Sequence, residues 1–181
     1  KSLEKIIDLD PVMIIPSHKD PLDNTFFINE GIRKILGATK HVHDETIKGM
    51  NSGKTVEALM REIRLPPELS ITQEHGKVSW AVKSIWEYYS TWFHFDRTTE
   101  LYAVPQSDIY NDLLGIIDEL KMQKLIQNYI DRGDFLKALH LIEIVLFDRN
   151  YRGPVLNFEN FVLKELLKQA NDTTKNSYER K

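Results

Sequence analysis

From Ile28 to Met50 the apolar positions of this 181-residue chain lie mostly three to five apart, and helical spacing recurs in the segments that follow. That spacing, more than any single motif, restricts the chain to helices that bury one face each. Ile28, Ile32, Ile35, Val42, Ile47 and Met50 predict one long helix, which Asn51-Ser52-Gly53 stops. Thr55 is placed to cap a second helix carrying Leu59, Met60 and Ile63. Pro66-Pro67 must end that helix, because proline lacks the N–H and clashes with the preceding turn.

The next predicted helix, Val78 to Phe93, carries Val78, Ala81, Val82, Ile85, Trp86, Tyr88, Tyr89, Trp92 and Phe93 and leaves only a polar ridge of Ser79, Lys83, Glu87 and Ser90. A helix apolar over most of its circumference must be covered on several sides. The cover is either the chain's own core or a second subunit, for which Trp86, Tyr89, Trp92 and Phe93 would be the anchors.

Thr98 to Val104 reads as extended, closed by Pro105. Ser107 then starts a helix bearing Ile109, Leu113, Ile116 and Leu120 that runs to about Ile130. Gly133-Asp134 breaks the chain, Ala138, Leu139, Ile142, Val145 and Leu146 face a further helix, and Phe158, Val162, Leu166 and Ala170 mark a last one after Gly153-Pro154. Short links make these helices hairpins similar to tetratricopeptide packing, although the roughly 34-residue self-similarity of a true repeat is missing. The polar tail from Asn171 is expected to fray.

The first twenty residues differ. Leu3 to Leu9 suit a short helix, and Val12-Met13-Ile14-Ile15 between Pro11 and Pro16 suit a short buried strand. His18 follows the strand, where open α/β sheets present ligand-binding residues. It is either a metal ligand or a turn histidine, and no convergent partners for it are apparent in the sequence. The chain begins at Lys1 without a methionine, and the strand has no partner strand in the sequence. Unpaired backbone groups cost about 1–3 kcal/mol each when buried, so the expectation is a part of a longer protein.

Composition narrows the function. A net charge of −3 without a Lys/Arg cluster argues against nucleic acid and against an anionic membrane surface. No apolar run approaches the length of a membrane span, and no signal peptide is visible, as expected of a soluble chain whose compartment stays unknown. With no cysteine, disulfides, thiol catalysis and cysteine-based zinc sites are excluded. His41-Val42-His43-Asp44 superficially resembles a His-x-His-x-Asp-His metal loop, yet helical residues two apart point about 200° apart and cannot chelate one ion. His43 and Asp44 read as helix-surface or hairpin hydrogen-bond partners, and His75-Gly76 as a loop near a site with no partner named by the sequence.

Taken together, the chain resembles the alkylsulfatase branch of the metallo-β-lactamase superfamily. The likeness runs through Ser17-His18-x-x-Pro21, His43-Asp44-Glu45-Thr46, Met50-Asn51-x-Gly53, Ile63-Arg64-Leu65-Pro66, then Gly76, Ser79, Tyr89, Trp92-Phe93, Leu101-Tyr102 and Pro105, in family order. The resemblance implies residues 1–24 as the end of a catalytic α/β domain, 25–170 as a helical dimerisation domain and 171–181 as a polar tail. It implies a binuclear metal, zinc, in the intact parent, with His18 as one ligand, and a homodimer that includes the rest of the catalytic portion. No metal and no catalysis are expected of this chain alone. Where the family carries Ser-His-Asn, its histidine proposed as general acid, this sequence reads Ser79-Trp80-Ala81, so no catalytic residue is identified. The expectation is a mainly α dimerisation module of a sulfuric ester hydrolase. The alternative is a stand-alone helical adaptor that binds protein partners.

Overall fold

The computed structural model describes residues 1–18, 20–94, 97–148 and 153–169. These residues are mainly helical and divide into two compact units, Lys1–His94 and Phe95–Lys181. Among the described residues no helix is long and apolar enough to cross a membrane.

In the first unit, α1 (Ser2–Asp8) packs on α2 (Thr25–Asn51). Lys40 reaches back to Glu4 at 2.8 Å, and Asn29 Nδ2 donates to Asp10 Oδ1 at 3.1 Å. The start of α2 follows from Asn24, whose side chain accepts from the Phe27 N–H. Its end follows from Gly53, which adopts φ +72°, a conformation open to glycine without a Cβ clash. Thr55 caps α3 (Val56–Glu62) by accepting from Ala58 N–H, as its position predicts. Ile63 turns extended ahead of the prolines, and a single 3₁₀ turn at Pro67–Leu69 follows. Val42, Leu59, Ile63 and Val82 form the core, with Met50, Met60, Leu65, Val78, Ile85 and Trp86 packed around it.

The aromatic helix, α4 (Val78–Ser90), is shorter than its apolar run. Thr91 takes φ +67° and ψ −170°, so Trp92 and Phe93 lie beyond the helix rather than in it. Only Val82 is fully buried on α4, and Val78, Ile85 and Trp86 extend that line at helical spacing against the core. Trp86 thus packs on the core of its own chain.

Val12–Ile15 is a second correction. Rather than a buried strand, it makes one antiparallel bridge, Ile14 to Leu22, with both N–H···O distances 2.8 Å. Val12 and Ile15 are each 75% exposed, so the run contributes little to the core of this unit. The bridge pairs the backbone of Ile14 alone within this run.

In the second unit, Thr98–Leu101 forms a 3₁₀ turn in place of the expected extended segment. The helix expected from Ser107 to Ile130 is broken. Ser107 lies inside a 3₁₀ turn at Gln106–Ile109, which leads into α5 (Tyr110–Ile116). Ile117 then turns extended, and Asp118 starts α6 (Glu119–Asp131) by accepting from Lys121 N–H at 2.9 Å. A cap formed by Asp118 competes successfully with helix continuation, because Asp favours local side-chain bonds to backbone over helix interiors. After Gly133 at φ +74°, α7 (Phe135–Val145) folds back on α6, and α8 (Val155–Gln169) packs on both. Met122, Ile126, Ile130, Ala138, Ile142, Val145, Val155 and Val162 fill this second core. Ala170 and the tail from Asn171 lie outside the described residues.

Candidate functional site

The C-terminal end of α4 meets the middle of α2 through one histidine. His43 places Nδ1 2.8 Å from Asp44 Oδ1 and Nε2 2.8 Å from the Tyr89 hydroxyl. A carboxylate only accepts, so Nδ1–H donates to Asp44, and in the neutral imidazole Nε2 is then the acceptor for the Tyr89 O–H. Tyr89 in turn meets the Tyr88 ring edge-on, 5.0 Å between centroids. The pairing of His43 with Asp44 is legible in the sequence. The bond to Tyr89 is not, because 46 residues separate the two and no local pattern encodes that distance.

Around this contact the aromatic side chains face outward. Tyr88 is 80% exposed, Trp92 65% and Tyr89 50%. Phe93 is half-buried and stands against Trp92 with ring centroids 6.0 Å apart. The sequence does not single out Tyr88 as an anchor, because period alone does not tell which side of an apolar helix meets the core. From Tyr88 to Trp92 no residue is charged, and the Lys83 and Glu87 of the preceding turns lie 4.0 Å from each other.

The remaining candidates lie apart. Trp80 is exposed on α4, and His75 lies in the exposed segment before that helix. His18 is exposed in the loop between Ile14 and Leu22 and is not part of a gathered metal site among the described residues. Nor could any group of three or more His, Asp or Glu among those residues hold a metal ion. His41 is accounted for by a 3.0 Å contact of Nε2 with the Arg64 carbonyl.

Two hollows flank the first core. One, of about 390 Å³, is lined by His41, Lys48, Lys54, Glu62 and Arg64, but its lysines are paired, Lys54 with Glu62 and Lys48 with Glu45. The other, of about 220 Å³, is an apolar groove between α2, α4 and the loop before α4, lined by Ala38, Val42, Ile71, Ala81 and Ile85. Neither presents the nucleophile, base and orienting group that a hydrolytic site requires.

The family model for alkyl sulfatase dimerisation matches residues 55–180. A linear primary-alkylsulfatase of Pseudomonas sp. is 26% identical over 121 residues, covering 64% of this chain and 23% of that protein. An alkyl/aryl-sulfatase of Saccharomyces cerevisiae is 28% identical over 85 residues, covering 45% of this chain and 13% of that protein. The solved structure of the stereoselective inverting sec-alkylsulfatase Pisa1 from Pseudomonas sp. has the same fold over 99% of this chain and 28% of its own, with a TM-score of 0.78 at 19% identity. The chain therefore spans about a quarter of the length of these Pseudomonas proteins and less of the yeast one.

Proposed function

The chain belongs to the alkyl sulfatase dimerisation family, and from that premise we propose that it is the homodimerising module of a longer hydrolase of sulfuric esters. The observation that carries this reading is the exposure of Tyr88, Tyr89 and Trp92 together at one end of α4. Aromatic side chains bury about 150–250 Å² each and are favoured interface anchors. Leaving three of them in water is costly unless a partner covers them.

Trp86 supports the chain's own core, so the anchors of the proposed interface are Tyr88, Tyr89 and Trp92, with Phe93 at its edge. Light scattering on a size-exclusion column at micromolar concentration tests the reading, with a dimer mass expected. A monomer mass with a cooperative melt would overturn it. The adaptor alternative gains no support, since the family match runs through the hairpins on which it rested.

In the longer protein, residues 1–24 would close the catalytic domain and His18 would be one imidazole of its metal site. The described residues do not fit a metal by themselves, and no chemical step is assigned to one. Zinc, which the resemblance implies, would be held mostly by other residues. Trp80, in the place of the family's acid histidine, supplies no proton to a leaving group, because an indole does not ionise at useful pH.

A further inference from the structure

We propose that His43 is a positioning residue of the dimer surface. From α2 it fixes the Tyr89 hydroxyl, and through the edge-on Tyr88–Tyr89 contact it presents both tyrosines to a second copy of this chain. The inference rests on the dimer reading above and adds to it a residue outside the stretch matched by the family model, which begins at residue 55.

In the neutral imidazole Asp44 commits Nδ1–H, which leaves one acceptor, and the Tyr89 proton fills it at 2.8 Å. The phenol oxygen keeps its lone pairs for an incoming donor, and its orientation is set before the partner arrives. Ordering a surface aromatic in advance removes part of the entropy cost of association.

The placement favours this role over a folding one. The His43 side chain is 42% exposed and Tyr89 50%, while the core beneath them is made by Val42 and Val82. A bond at such a rim contributes little to folding, because water competes for both partners. The kind of partner follows from charge. From Tyr88 to Trp92 the chain carries none, the Asp44 carboxylate beside them is bonded to His43, and the nearest charges on α4, Lys83 and Glu87, lie near one another. A two-fold axis places like on like, and an uncharged aromatic surface suits that arrangement.

The test compares dimer dissociation constants from sedimentation of the full chain with melting of the dilute monomer. His43→Phe and Tyr89→Phe should each weaken the dimer roughly tenfold or more, and the double variant no further than either single one. His43→Gln, whose amide oxygen can accept from Tyr89, should keep wild-type affinity, and monomer melting should not move. Unchanged affinity in both Phe variants of a dimeric protein overturns this inference alone. Loss of helix content in His43→Phe also overturns it, by assigning the bond to folding. A monomeric wild type overturns it together with the dimer reading.

Discussion

A Cβ placed on Gly49 of α2 would stand 2.2 Å from Leu59 Cδ2 of α3. The two helices approach so closely because position 49 has no side chain, and Leu59, 2% exposed, fills the space. Gly49→Ala should therefore destabilise the first unit. Overpacking costs about 1–3 kcal/mol against the roughly 1 kcal/mol that alanine gains over glycine in a helix. Urea unfolding checks the sign. Combining it with Leu59→Ala should cost less than the sum of the two single changes, because the shortened side chain vacates the contested volume.

Thr91 holds φ +67° with ψ −170°, a region that is essentially glycine's own. A β-branched residue there stores about 1–3 kcal/mol of strain. Thr91→Gly should raise stability by about 1 kcal/mol, after allowing for glycine's larger entropy loss on folding. Thr91→Ala keeps a Cβ in the same conformation and should give no such gain, which a pair of thermal melts would show.

Glu4 ties α1 to α2. Led by the hydrogen bond from Lys40, its carboxyl is lowered from 4.5 to about 2. A lowered acid contributes stability that is complete above its unfolded value and lost as protons bind the folded form. Docking of α1 should therefore hold above pH 4.5 and weaken as pH falls toward about 2. In Lys40→Met the Glu4 midpoint should move back up toward 4.5, as a carboxyl-detected NMR titration would reveal.

Trp80 carries the consequence for the proposed longer enzyme. General acid catalysis typically supplies about 10²–10⁴ in rate, most where the leaving group is a poor alkoxide. That enzyme should turn over activated aryl esters and do little with primary alkyl sulfates. Trp80→His with Ala81→Asn should raise the alkyl sulfate rate selectively. If the unmodified enzyme cleaves long-chain alkyl sulfates as fast as aryl esters, another residue donates the proton.

Elements defined by local chemistry are legible in the residues themselves. Asn51-Ser52-Gly53, Thr55, Pro66-Pro67 and Gly133 each act on their own backbone within one turn, and α2, α3 and α7 begin or end at them. Where two local preferences compete, periodicity misleads. The apolar run through Trp92 and Phe93 has the spacing to continue α4, but the chain leaves the helix at Thr91. Likewise, Leu113 to Ile126 keeps helical spacing across Asp118, yet that aspartate caps a new helix.

The sequence by itself therefore determined the helical class, most helix ends and the family likeness, because periodicity, capping and turn chemistry are written in neighbouring residues. Tertiary structure alone decided that Trp86 packs against the core while Tyr88 faces water, and that His43 finds Tyr89 across 46 residues. Those outcomes depend on which side of α4 meets α2 and α3. That is settled by the packing of Val82 against Val42, Leu59 and Ile63, a contact among residues far apart in the chain.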